Sequence, residues 1–275
     1  MHPHERTPRS STLWPPTEVQ RVCETFLAMA DEALPGLVEG LYLHGSLGFG
    51  EWHAGRSDVD FVAVTRERPD AASVARLRAL HEQLGLTFPT PAYDGFYATW
   101  SDLAAPTSEC PDVPCILGGT FEEEGRFDVN PVTWHELAWH GVRIRGPELD
   151  ELELWTDLPA LRAYTHSNLG TYWTEQAAAL AQFPDEAHKP AIMSFFVLGA
   201  PRLHHLLATD RLTSKDGAGA HVVDAFGEGW RILAAEALSY RATGERIGLL
   251  PDEELAAQAI ELADLVVREG LAIAP

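Results

Sequence analysis

Gly45-Ser46 is followed, after eleven intervening residues, by Asp58-Val59-Asp60 at the start of the apolar run Phe61 to Val64. Leu41-Tyr42-Leu43 reads as a buried strand ending in the Gly-Ser pair, where small residues let backbone amides approach an anionic group. Asp58-Val59-Asp60 opens a second strand. Side chains alternate along a strand, so Asp58 and Asp60 share one face while Val59 and Phe61 point into the core. Two adjacent carboxylates repel each other and call for a cation. Hard oxygen ligands suit Mg²⁺, which normally also takes oxygens from nucleotide phosphates. Asp-x-Asp alone is common on solvated edge strands; the combination with the strand and the Gly-Ser pair points to metal-assisted transfer from a nucleoside triphosphate. No G-x-x-x-x-G-K-[ST] loop is present. Gly45, Gly48 and Gly50 lack the third glycine and the helix of a dinucleotide fingerprint.

The segment Leu41 to Val64 resembles the nucleotidyltransferase superfamily that shares the polymerase-beta-like active site. The resemblance implies that Ser46 contacts the triphosphate, that Gly45 makes room for the phosphates, and that Asp58 and Asp60 hold divalent metal. A second segment, PRLHHLLATDRLTSKDGAGAHVVDAF, places Arg202 on a helix and Ser214-Lys215-Asp216 at the start of the next. Read alone, Ser-Lys-Asp is a helix cap with a solvated lysine. The order of parts resembles the carboxy-terminal helical domain of streptomycin/spectinomycin aminoglycoside adenylyltransferases, which implies that Arg202 and Lys215 bind the triphosphate and offset charge that builds on it. The resemblance runs from about Leu41 to Thr243, with a poor match over Cys110 to Asn130. It implies Mg²⁺-dependent transfer of AMP from ATP to a hydroxyl of a cationic aminoglycoside or aminocyclitol, an antibiotic-resistance activity. Nothing in the residues themselves reads the base.

A hydroxyl nucleophile needs a base. The family supplies a glutamate on the strand after Asp-x-Asp; here the position falls on Asp94, one methylene shorter, in Tyr93-Asp94-Gly95. Asp-Gly before a strand is also a turn signal, so base and turn both stand. Asp102, beside Leu103, reads as a helix cap. Trp134 and Trp139 read as core of a helix from Thr133 to His140. Asp185 and Glu186, between two helices, are candidate contacts for substrate ammonium groups. Two alternatives to the antibiotic enzyme remain: a nucleotidyltransferase with another acceptor, such as a protein hydroxyl, and a non-catalytic nucleotide-binding protein. A helical partner protein with a structural Asp-x-Asp is a third.

A net charge of −21 argues against a nucleic-acid partner, whose binding draws on Lys and Arg. The same charge would concentrate a polycationic small molecule or simply keep the chain soluble. No apolar run approaches the ~18 residues that span a bilayer, so no membrane partner is expected. The start, MHPHERTPRSSTLWPP, lacks the apolar core of a signal peptide and reads as a loose arm. Cys23, Cys110 and Cys115 form no C-x-x-C and read as free thiols of a cytoplasmic protein, expected to be a monomer. Twelve histidines, His2/His4 and His204/His205 among them, show no convincing ligand spacing.

The elements that must carry these residues follow from pattern. Helical spacing predicts helices over Pro16 to Leu34 and Ala71 to Gly85, and a strand over Gly95 to Trp100. Val142 to Arg145 reads as a short strand. From Ala160 onward helices dominate: Leu161 to Gln182, Ala191 to Leu207, Gly219 to Thr243 and Pro251 to Glu269. The expected class is α+β: an arm over 1–16, an α/β nucleotidyltransferase domain with a mixed sheet over 17–158, and an all-α helical bundle domain over 159–275.

Overall fold

The computed structural model of the chain describes residues 15–275. The expected arm, with His2 and His4, lies outside the described residues as far as residue 14. Two compact units are present, one ending at Thr156 and one beginning at Asp157.

In the first unit the elements run α1 (Thr17–Ala33), β1 (Val38–Leu43), α2 (Gly45–Phe49), β2 (Val59–Thr65), α3 (Ala71–Thr87), β3 (Tyr93–Thr99), α4 (Trp100–Leu103), β4 (Val113–Leu117), β5 (Thr120–Gly125), α5 (Pro131–His140) and β6 (Val142–Arg145). The six strands form one mixed sheet in the order β5-β4-β3-β2-β1-β6. β2 and β3 pair in parallel, and α3 supplies the crossover that a parallel pair requires. The other pairs are antiparallel.

Strand alternation sorts the side chains onto two covered faces. Leu41, Leu43, Val59, Phe61, Ala63, Tyr93 and Tyr97 pack with Val19, Phe26, Val74 and Leu77 of α1 and α3. Tyr42, Val62, Val64, Phe96 and Ala98 pack with Trp134 and Leu137 of α5. From Tyr42 in β1, and through β2 and β3, the even-numbered residues therefore face α5; a register shift between Val38 and Gly40 leaves Val38 in the other core. This parity decides where the acidic side chains go.

Three local details emerge. At Gly45-Ser46 the chain turns out of β1 directly into the short helix α2. β2 begins at Val59, leaving Asp58 in the loop just before it, where its carbonyl accepts the Trp52 indole N–H at 3.1 Å. The poorly matched stretch around Cys110 to Asn130 contains a β4–β5 hairpin closed by Gly118 and Gly119, both at positive φ. Asp102 caps as read: the Thr99 hydroxyl oxygen accepts the Asp102 N–H, and the Asp102 carboxylate accepts the Thr99 N–H. Trp134 is fully buried and stacked on Phe96, whereas Trp139 is half-buried against His135.

The second unit is helical: α6 (Leu158–Asn168), a π-helical turn over Leu169–Trp173, α7 (Thr174–Gln182), α8 (Pro184–Ala187), α9 (Pro190–Thr209), α10 (Lys215–Phe226), α11 (Arg231–Thr243) and α12 (Asp252–Ala272). The helix predicted over Gly219 to Thr243 is two helices, broken at Gly227 with φ +102°. α9 packs against α10, α11 and α12. By length and composition α9 could cross a membrane, which the count of consecutive apolar residues did not anticipate. Here it is the central helix of the bundle, mostly buried, and Arg202, His204 and His205 interrupt its apolar run.

Candidate active site

Parity and register bring the first unit's candidate residues together. Asp60 on β2 and Asp94 on β3 are directly paired across the parallel ladder, and both are even-numbered positions facing α5. Asp58 precedes them on the approach to β2. Asp94 is thus a strand residue, 4% exposed, and not part of a turn. Its carboxylate accepts the Gly118 N–H at 2.9 Å, so the β4–β5 hairpin turn holds it in place. Burial pushes the Asp94 carboxyl up from 3.8 to about 6 against the lowering N–H groups of Gly118 and Gly119, and the charges of Asp58 and Asp60 add to the rise. Asp60 and Asp94 thus share one end of one sheet face, and Asp58, in the loop before β2, is near enough for its charge to act on Asp94.

Gly45 shows why this position needs glycine. Its φ is +57°, and a Cβ there would lie 2.2 Å from the Asp60 carboxylate oxygen Oδ2. The chain leaves β1 with the His44 N–H donating to the Asp60 carbonyl at 3.1 Å, then turns so that Gly45 passes directly over the acidic side chain. Ser46 follows, and its hydroxyl oxygen is buried with no hydrogen-bond partner among the described residues. A buried polar atom without a partner costs free energy unless something else satisfies it. A phosphate oxygen would do so.

Residues that were not singled out from the sequence complete this corner. His44, buried at 3% exposure, sets Nδ1 3.2 Å from the Glu136 carboxylate, and its Nε2 lies 3.9 Å from Asp128 Oδ2. Burial by itself would lower the His44 pKa. The Glu136 hydrogen bond and the charges of Asp128, Asp60 and Glu136 outweigh it and raise the pKa to about 9, so the imidazole is a buried cation at neutral pH. Glu136 Oε2 also accepts the Gly45 N–H at 3.1 Å. The amide that the Gly-Ser pattern offers to an anion is therefore already taken by the protein. His44 was readable by its place next to Gly45, and Gly118-Gly119 by the two-residue hairpin signal. No local pattern marks Glu136.

Among the described residues, no group of three or more His, Cys, Asp or Glu side chains converges tightly enough to hold a metal ion by itself. An ion at Asp58 and Asp60 would need further oxygens. Such partial coordination is the usual habit of Mg²⁺, which completes its shell with phosphates and water. The orphaned Ser46 hydroxyl, the side-chain-free surface at Gly45 and the hard carboxylate oxygens all fit a metal–triphosphate group.

The second unit's candidates stand on their own elements. Arg202 is half-buried on α9. Lys215 is the first residue of α10, after Ser214, whose Oγ accepts the Gly217 N–H at 2.9 Å. Asp216 pairs with the buried Arg241 at 2.6 Å, which ties the start of α10 to α11. Asp185 is exposed on α8. Glu186 is ion-paired with Lys189 and edges a cavity of about 380 Å³ whose other walls include Leu180, Phe183, Ile192 and Phe195.

No protein-family model and no curated protein matches the chain. Among solved structures, it is similar to spectinomycin adenyltransferase AAD(9) from Enterococcus faecialis, solved with ATP and spectinomycin. The TM-score is 0.65 at 15% identity, covering 90% of this chain and 98% of that one. A toxin-antitoxin structure solved with AMP-PNP aligns at a TM-score of 0.29 and 15% identity, over 58% of this chain and 95% of that one. The first likeness shows that this chain shares the fold of that structure; the second is too distant to carry an argument.

Proposed function

We propose that this chain is a nucleotidyltransferase that moves AMP from ATP to a hydroxyl of a cationic aminocyclitol or aminoglycoside. The observation that carries the proposal is the orphaned Ser46 hydroxyl beside Gly45, whose backbone passes over Asp60, with Asp94 next to Asp60 on the same face. The fold it shares with an adenylyltransferase supports the same reading.

Ser46 Oγ donates to a phosphate oxygen and so gains the partner it lacks. Asp58 and Asp60 would hold Mg²⁺, which supplies positive charge against the phosphates. Asp94 takes the acceptor's hydroxyl proton. With a pKa of about 6 it is mostly ionised at neutral pH and more basic than an ordinary carboxylate. The acceptor oxygen then bonds to the α-phosphorus, the bond from that phosphorus to the bridging oxygen breaks, and pyrophosphate leaves. Arg202 and Lys215 are assigned to the triphosphate, where they would offset charge on the departing pyrophosphate. That assignment rests on the resemblance of their segment. A cytoplasmic monomer without nucleic-acid partner remains part of the proposal, consistent with the acidic composition.

One observation favours a second reading, in which the same transfer serves another acceptor. Glu186, a candidate ammonium contact, already has Lys189 as its cation, and the cavity beside it is mostly apolar. Pyrophosphate release from ATP and Mg²⁺ over a panel of aminoglycosides and aminocyclitols separates the two. Release that needs spectinomycin or streptomycin supports the antibiotic enzyme. Release with no panel member, alongside labelling of a protein by ATP carrying label at its α-phosphate, moves the acceptor to a protein hydroxyl.

A further inference from the structure

Gly45 is held in a left-handed conformation, with no room for a side chain, at the point where the chain leaves the sheet. From that point no strand partner fixes the backbone. On one side the anchor is the Asp60 carbonyl, which takes the His44 N–H. On the other side it is Glu136. Its Oε2 accepts the Gly45 N–H at 3.1 Å and stands 3.2 Å from His44 Nδ1. Glu136 is 7% exposed, in the interior of α5.

α5 is itself registered on the sheet. Its N-cap Asn130 accepts the Val132 and Thr133 N–H groups, and Trp134 stacks on Phe96 of β3 with the ring planes 2° apart. β3 is also the strand that carries Asp94. One helix therefore sets the position of the Gly-Ser turn relative to two of the three carboxylates. A buried glutamate needs an opposite charge, and the His44 imidazole supplies it, with Asp128 and Asp60 as the other acidic groups around that ring.

We propose that Glu136 is a positioning residue for the triphosphate site: by accepting both the Gly45 N–H and the His44 Nδ1–H, it fixes the Gly45-Ser46 turn against Asp60. The proposal rests on the adenylyl-transfer reading of that site. Glu136 itself touches no reacting atom in this scheme. It acts through the turn.

Two full-length variants test it. Glu136→Gln keeps an oxygen that can accept both protons, and Glu136→Ala removes it. The expected result is kcat about 10²-fold lower in Glu136→Ala, the size that a misplacement of about 1 Å produces, with the acceptor KM unchanged. Glu136→Gln should restore kcat to within about tenfold of the wild type, as two retained hydrogen bonds should. The Gly45 amide resonance reads the turn without any nucleotide: it should shift and lose exchange protection in Glu136→Ala and keep most of its protection in Glu136→Gln. If Glu136→Ala does not fold, Glu136→Asp, which withdraws the oxygen by one methylene, must show the same amide change and lowered kcat. Wild-type kcat with an unmoved Gly45 amide in the Ala or Asp variant would overturn the proposal. So would equal losses in Ala and Gln that track a lost melting temperature. If the wild type binds no ATP, the reading of the site falls, and the amide measurement still decides whether Glu136 holds the turn.

Discussion

Adding one methyl group at Gly45 tests the geometry of the site at its tightest point. A Cβ there would stand 2.2 Å from Asp60 Oδ2, so the carboxylate or the turn must retreat by roughly 1 Å to restore ordinary contact. The substitution also places an L-residue at φ +57°, which costs about 1–2 kcal/mol. Strain and clash can be separated. Gly36 has φ +77° and open space, with nothing within 4 Å of the point a Cβ would occupy, so Gly36→Ala carries comparable strain without the clash. Both variants should lose a few degrees of melting temperature, as ~1–2 kcal/mol does in a chain of this size. Only Gly45→Ala should lose function, by about 10²-fold in kcat/KM for adenylyl transfer, because the displaced group is a proposed metal ligand. The assay is pyrophosphate release, with calorimetric titration of ATP and Mg²⁺ alongside. Full activity and full ATP affinity in Gly45→Ala would refute the reasoning, since the turn would then have room that the geometry denies it.

Ser46→Ala should raise the ATP dissociation constant about tenfold, worth ~1.4 kcal/mol, without lowering the melting temperature, because the hydroxyl has no partner among the described residues to lose. Lys215→Ala should weaken ATP binding with the fold intact, since the Asp216–Arg241 pair that anchors α10 is kept; a matching loss of thermal stability without ATP would make Lys215 structural. Asp94→Asn should cut kcat/KM by about 10²-fold or more and erase the acidic limb, which in the wild type should rise through pH about 6. Nucleotide-free stability should carry the same signature. Burial favours the neutral Asp94 acid, so the native chain binds that proton more tightly than the unfolded one. The contribution is full below pH 3.8 and lost as the pH rises through about 6. The melting temperature of the wild type relative to Asp94→Asn should therefore fall across that window; a constant difference would contradict the raised pKa.

Much of the scaffold was legible because its signals are local. The alternation of Val59, Asp60 and Phe61 predicted which side chains face the α1–α3 core, and the alternation holds across β2, β3 and the end of β1, failing only at Val38, where the register shifts. The spacing of Val19, Val22 and Phe26 predicted α1. The hairpin over β4 and β5 was obscured by Pro114, which sits where the register shifts between Val113 and Cys115 of β4, and by Glu122-Glu123-Glu124 in the edge strand β5, residues that depress strand propensity and are tolerated at a bulge and at a sheet edge respectively. Gly118-Gly119 was the signal that remained. Asp94 could be either base or turn because Asp-Gly is ambiguous until the strand register is known. Glu136 was out of reach for a different reason. It meets Gly45 across 91 residues of chain, and a glutamate within Trp134-His135-Glu136-Leu137 looks like any helix-surface charge until the sheet beneath is built.

The measurement closest to the central claim is calorimetric titration of ATP into the wild type and into Asp60→Asn, each with and without Mg²⁺. The wild type should bind ATP tightly only when Mg²⁺ is present, and Asp60→Asn should lose most of that Mg²⁺-dependent affinity while melting at the wild-type temperature. Equal Mg²⁺-dependent affinity in the two proteins would contradict the assignment of Asp60, and with it the reading of this sheet face as a metal–triphosphate site.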